Sequence, residues 1–295
     1  MSRLPTEDTP RPRRVRTVRH ESGLGRWTMS FADPHPSLHL YVRSYCGWEE
    51  HTATTLWRIE PPGPDLPLII LFGAPVLSRE PGHIERPRAY GSFVAGLYDR
   101  HTLVGSGGPM SGIQANFTPL GARLLLGQPL DAFANRMVEI ADVWGPGADR
   151  LTSELADLRG WEARFDRLDR FVRDRIAAAT RPSPALVSSL ETLLATRGQV
   201  RIDMLARRTG WSRRYFGAEM RREFGLGPKT LARILRLGRA VEVLRAEGEP
   251  RLAEVAADCG YYDQAHFSRD FHQFTGMTPR EFLGHRLPDG GGVSA

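Results

Sequence analysis

The spacing of apolar positions changes character along the chain. Between residues 38 and 117 apolar side chains come in short runs: Leu38, Leu40 and Val42; Leu56-Trp57 with Ile59; Leu68-Ile69-Ile70-Leu71-Phe72; and Phe93-Val94 with Leu97-Tyr98. Turn formers separate them, in Pro61-Pro62-Gly63-Pro64, Glu80-Pro81-Gly82-His83 and Gly105-Ser106-Gly107-Gly108-Pro109. This pattern predicts strands over 38–45, 55–59, 68–72 and 93–98, built into a small barrel or sandwich. At Thr118-Pro119 the period lengthens. Threonine as N-cap and proline at the first helical position open a helix over 120–126 that Gly127 closes. A long amphipathic helix is predicted over about 161–179, with Trp161, Phe165, Leu168, Val172 and Ile176 on one face. That stripe packs either on its own domain or on a second copy. Pro182 and Pro184 then break the chain into a linker.

The last third contains a repeat. Leu205-Ala206, Gly210, Phe216, Met220, Gly225 and Pro228 recur as Val255-Ala256, Gly260, Phe267, Phe271, Gly276 and Pro279, offset by 50 up to the first glycine and 51 after it. Each copy reads as a short helix, a tight turn and a second helix, the helix-turn-helix layout. Gly210 and Gly260 stand where a chain leaving a helix takes positive φ, and Ser212 and Asp263 are placed as N-caps. In the first of the following helices, about 213–224, Phe216 and Met220 face inward and Arg213, Arg214, Gly217, Ala218 and Arg221 outward. In the second, about 264–274, Phe267 and Phe271 go inward. Gln264, Ala265, Ser268 and Arg269 then point outward, with His266 at the boundary. Arginine and glutamine read guanine and adenine edges in the major groove, and small residues permit close approach. Arg222 is suited to a phosphate. Between the copies a helix over about 228–246 carries Leu231, Ile234, Leu235, Leu237, Val241 and Leu244. Its length of about 27 Å is near the about 34 Å between successive major-groove faces of a duplex.

Composition fits this picture. The 295 residues, 41% hydrophobic, 9% aromatic and 25% charged, are those of a globular chain long enough for two domains, which excludes wholesale disorder, collagen and a coiled-coil rod. Net charge is +6. Residues 1–20 hold six basic and two acidic side chains, and residues 185–287 hold 17 and 12, so the positive charge gathers on a short arm and on the repeat. Lys229 is the sole lysine. The two cysteines, Cys46 and Cys259, belong to no Cys/His cluster, which speaks against a thiolate metal site and against a disulfide-stapled secreted protein. No apolar run approaches the roughly 20 residues of a membrane helix, and the start lacks a secretory signal, so a cytoplasmic, non-membrane location is expected.

Gly260-Tyr261-x-Asp263-x-x-His266-Phe267-Ser268-Arg269-x-Phe271, followed by Gly276-x-Thr278-Pro279-x-x-Phe282, resembles the signature of the AraC/XylS family of bacterial transcription regulators. So do Leu205-Ala206 with Gly210 and Ser212, and Arg236-Leu237-x-x-Ala240. The resemblance covers about residues 185–287. It implies two helix-turn-helix units joined by a long helix, binding double-stranded promoter DNA and activating transcription through RNA polymerase. It also implies a preceding domain that binds an effector or a second copy, often a cupin-like barrel with trailing helices.

The expected fold is therefore α+β: a flexible basic arm over 1–26, a mostly-β sensor or dimerisation domain over 27–180, a linker over 181–184, an all-α DNA-binding domain over 185–287 with units at about 202–224 and 252–274, and a tail over 288–295. A small-molecule effector pocket is placed among Trp48, Trp57, Phe93, Tyr98 and Phe117, because such sites are mostly apolar and aromatic. Each of these aromatics has core packing as its other reading. A metal-dependent barrel enzyme using His35, His39 and His51 is the rival, although these lack the clustered partners a metal needs. A DNA-repair reading would use Cys46 or Cys259 as alkyl acceptor, where both read as small core residues. No cofactor, catalytic residue or metal ligand is expected.

Overall fold

The computed structural model describes residues 14–79, 86–246, 248, 250–287 and 293–295. Its strands are β1 (Arg16–Ser22), β2 (Gly25–Ala32), β3 (Val42–Glu60), β4 (Leu66–Leu71), β5 (Val76–Arg79), β6 (Arg88–Tyr90), β7 (Phe93–Ala95), β8 (Thr102–Phe117) and, after helix α1 (Pro119–Leu126), β9 (Met137–Glu139). Helices follow: α2 (Ile140–Trp144), α3 (Pro146–Asp157), α4 (Trp161–Ala178), α5 (Pro184–Ala195), α6 (Ile202–Arg208), α7 (Arg213–Phe224), α8 (Pro228–Arg245), α9 (Leu252–Asp258), α10 (Gln264–Thr275) and α11 (Pro279–Gly284). The strands form one antiparallel sheet of order β1-β2-β3-β8-β4-β7-β9, with β5 bridging β8 and β6. A β domain therefore precedes an all-α one, as the pattern predicts.

Side chains alternate across the pleat, so the sheet buries two clusters. Tyr45, Leu68, Ile70, Ile113 and Ala115 face α1 and α4 in the main core, while Ile69, Leu71, Phe93, Tyr98 and Met110 form a smaller one on the other face. The stripe of α4 rests on its own sheet. Phe165 stacks on Tyr45 at 5.6 Å, and the Tyr45 hydroxyl donates to Asp169 Oδ1 at 2.9 Å. Trp161 lies over Gly47, where a Cβ would come within 2.1 Å of the indole, so that position requires glycine. The stripe is thus spent within the chain, not on a second copy.

Four expectations change. Residues 36–38 form a 3-10 turn, capped by the His35 side chain, and the strand starts only at Val42. Gly105-Ser106-Gly107-Gly108-Pro109 lies inside β8 and not in a turn. Its small residues make room for β3, since a Cβ at Gly105 would meet the Trp57 ring at 3.1 Å, and the register shifts opposite it between Thr52 and Leu56. Within the stretch expected as a free arm, Arg16–Ser22 is strand β1, paired with β2 throughout; residues 1–13 lie outside the described residues. The expected tail over 288–295 is described only at 293–295, where Ile59 N donates to the Val293 carbonyl at 2.8 Å and Ala295 N to the Trp57 carbonyl at 3.0 Å.

The two domains share one continuous apolar cluster that runs from the sheet through α1 and α4 into α5 to α11. At the seam Arg123 Nε donates to Glu223 Oε2 at 2.6 Å, with both side chains buried. No described helix is long and apolar enough to cross a membrane.

Candidate nucleic-acid interface

Each helix-turn-helix unit is built by the devices the sequence signals. Gly210 (φ 73°) and Gly260 (φ 75°) turn the chain after α6 and α9. Ser212 Oγ then accepts from Tyr215 N at 3.2 Å, and Asp263 Oδ1 from His266 N at 2.7 Å, opening α7 and α10. Phe216, Met220, Phe267 and Phe271 are fully buried. With those faces anchored, Arg213, Arg214, Ala218, Arg221 and Arg222 on α7, and Gln264, Ala265 and Arg269 on α10, are exposed. Gly217, His266 and Ser268 are half-buried. Space around Gly217 is open, which suits close approach of a partner.

The linking helix does more than space the units. Arg233 Nη2 of α8 donates to Asp270 Oδ1 at 2.9 Å and its guanidinium lies over Phe274, so α8 holds the back of α10. Arg236 Nη1 donates to the Gly198 carbonyl at 3.2 Å and stacks over Tyr261 at 5.6 Å. Burial pushes the Tyr261 phenol upward in pKa, so it stays neutral. The Arg236 and Tyr261 of the signature are therefore structural.

Two arginines of the reading face are already paired. Arg213 Nη2 meets Asp203 Oδ2 at 2.7 Å. Arg222 Nη2 meets Glu219 Oε2 and Glu223 Oε1, each at 2.8 Å, and the Glu219 hydrogen bond above all raises its pKa. Contact of Arg222 with a phosphate requires exchange of these carboxylates. Sequence reasoning missed Tyr262, 92% exposed beside the N-cap of α10, and Tyr215, exposed on α7. The signal was present, because the 51-residue offset matches Tyr262 to Trp211.

The five aromatics proposed as an effector pocket are not brought together. Phe93, Tyr98 and Trp48 fill the smaller core, and Phe117 is wholly buried in the main one. Trp57 carries the Arg79 guanidinium over its ring at 4.3 Å. Strand alternation sends them to opposite faces of the sheet, so they line no common cavity. A groove of about 680 Å³ instead opens beyond the start of α4, lined among others by Arg19, Arg26, Glu49, His51 and Arg164.

The histidines of the rival reading are apart in role. His35 caps the 3-10 turn, His39 Nε2 meets the Pro34 carbonyl at 3.1 Å, and His51 is exposed on β3; no group of three metal-ligating side chains gathers among the described residues. Burial pushes both Cys46 and Cys259 up to about 11. Below that pH each stays a thiol, the poorer nucleophile. Neither is therefore expected to be alkylated by iodoacetamide at pH 8 within the time that denatured chain reacts fully, as read by mass spectrometry; rapid labelling of Cys46 in the folded chain would contradict this.

Residues 205–285 match the family model of a helix-turn-helix domain. Among curated proteins nothing matches. Among solved structures the chain is similar to ToxT from Vibrio cholerae, at 11% identity over 81% of this chain and 97% of that one, with a TM-score of 0.48. The DNA-binding domain of AdpA in complex with a target DNA gives 24% identity over 35% of this chain and 92% of that one, with a TM-score of 0.32. A transcriptional regulator with an AraC-type DNA-binding domain from Chromobacterium violaceum gives 26% identity over 36% and 96%, also at 0.32. The duplicated units and their linking helix thus coincide with the matched stretch, and residues 205–285 form a helix-turn-helix domain.

Proposed function

We propose that the chain regulates transcription by setting α7 and α10 into adjacent major grooves of promoter DNA, under control of its N-terminal domain. One observation carries this reading. In both copies the apolar side of the second helix is fully buried while its arginines, Gln264, Ala218 and Ala265 stay open to solvent, even with the N-terminal domain docked. The 18 residues of α8 span about 27 Å, close to the repeat of a duplex face. Arg213, Arg214, Arg221, Gln264, His266, Ser268 and Arg269 are the side chains that reach base edges or phosphates, and Gly217, Ala218 and Ala265 let the backbone approach. The N-terminal domain acts as the effector or dimerisation module. Its charged groove suits a polar small molecule better than an apolar one, and RNA polymerase is the partner through which a bound activator works. The reading needs no catalytic centre or bound metal.

Footprinting of the purified chain on DNA flanking its own gene is expected to protect about 20 base pairs, two helical turns. Protection of a single turn would contradict engagement of both units. On that site Arg269→Ala is expected to lose about 1 to 3 kcal/mol and to relax preference at one base pair. Equal losses on every sequence would assign Arg269 to the backbone instead.

A further inference from the structure

The repeat allows each unit to be compared with its twin position by position. Beside α10 a groove of about 730 Å³ is lined by Arg251, Leu252, Ala253, Gln264, Arg280 and Arg286 among others, and no carboxylate lines it among the described residues. Arg286 is committed, since its Nη1 donates to the Leu244 and Ala246 carbonyls at 3.2 and 2.7 Å, at the end of α8. Arg251 and Arg280 remain. Both are exposed. Among the described residues Arg251 meets only Glu254, at 3.3 Å, a pair 84% and 66% exposed, the kind of surface contact that contributes little and yields readily to a stronger anion.

In the first unit the same places hold Arg201 and Lys229, both exposed, so the pair of cations is duplicated: one at the start of the first helix of each unit, one just after the proline that follows the second. Between them the copies differ. Where the second unit has Ala253 and Gln264, the first has Asp203 and Arg213, which are bound to each other at 2.7 Å. A carboxylate thus occupies the first unit's copy of the groove, and an alanine leaves the second unit's copy open.

We infer that Arg251 and Arg280 form a phosphate clamp of the second unit, taking a backbone phosphodiester of the duplex next to the bases that α10 reads. The inference rests on the DNA-binding reading above. Neither arginine lies on the outward face of α10, so the clamp fixes the angle at which that helix enters the groove and carries no base preference. Backbone contacts of this kind position a protein on the duplex while base contacts specify the sequence. The clamp also makes the units unequal: the second is anchored by exposed cations held at most by the surface contact of Arg251 with Glu254, and the first must exchange the Asp203 carboxylate before Arg213 can reach DNA.

The test is the salt dependence of binding, measured by fluorescence anisotropy on a labelled random-sequence duplex of about 20 base pairs between about 50 and 200 mM salt. Arg251→Gln and Arg280→Gln are each expected to lower the slope of log affinity against log salt by about one unit. Ala253→Asp, which installs the first unit's carboxylate, is expected to lower it as well. Arg150→Gln, an exposed arginine of the N-terminal domain, is expected to leave it unchanged. The arginine variants are measured again with Glu247→Gln and Glu249→Gln, residues flanking Gly248 in sequence. Loss of the slope decrease in either background, or an equal decrease from Arg150→Gln, would overturn the clamp while wild-type binding upheld the DNA reading. Absence of wild-type binding at every salt concentration would overturn both.

Discussion

Glu223→Leu is expected to destabilise the chain by about 3 to 5 kcal/mol, the loss that follows when one partner of a buried ion pair is removed. Glu223 sits at the end of α7 and is 5% exposed; Arg123 on α1 faces it and is 8% exposed. Arg123 Nη1 is buried with no hydrogen-bond partner among the described residues. Without Glu223 the guanidinium would be a buried cation facing apolar walls. Arg123→Met is expected to fall at the lower end of the range, because Glu223 keeps Arg222 as a second cation. The double variant Arg123→Met, Glu223→Leu is expected to recover most of the loss, since apolar replacement of a buried pair is often neutral or better. Urea unfolding of the four chains in a double-mutant cycle checks this. A double variant as unstable as the sum of the singles would mean that the two groups do not interact across the seam. DNA binding adds a second readout, because losing Glu223 also removes one of the two carboxylates that hold Arg222.

Phe271→Ala is expected to cost about 3 to 5 kcal/mol, the range for removing a fully buried aromatic ring. Phe271 is wholly buried between Phe267 at 5.6 Å and Phe282 at 5.3 Å, both nearly edge-on. This trio is the core on which α10 is seated, and α11 supplies its far wall. Removing the central ring frees α10 to shift and takes Gln264 and Arg269 out of register with the duplex. The footprint is expected to shrink to the turn covered by the first unit. A loss below about 1 kcal/mol with the full footprint intact would show that this core does not hold the helix.

The helical third was legible because its cues are local. Ser212 and Asp263 cap where a side-chain oxygen three residues ahead of an amide must cap, and Gly210 and Gly260 take the positive φ the turn demands. The long strands were not legible. Gly105-Ser106-Gly107-Gly108-Pro109 reads locally as a turn, and only the ring of Trp57, some fifty residues away in sequence, explains why small residues occupy a strand there. The aromatic pocket failed for a related reason: which face of a strand a side chain takes depends on register, and register depends on partners distant in sequence. The clamp arginines escaped notice because each is ordinary alone. Their meaning comes from comparison with Arg201 and Lys229, and from the ion pair between Asp203 and Arg213.

The pairing of residues 293–295 with Trp57 and Ile59 bears on how fragments of this chain will behave. A strand margin with unmatched amide and carbonyl groups is a template for intermolecular strand addition. In the intact chain that stretch of β3 is occupied by residues from the far end of the sequence, and Val293 is completely enclosed. The outer margin, β1, is studded with Arg16, Arg19 and Glu21, charges that discourage stacking. Cutting between α4 and α5 would uncover the Trp57–Ile59 margin and the seat of Val293 together. Self-association of such a fragment would then report an artificial sticky margin, and oligomeric state is best measured on the uncut chain.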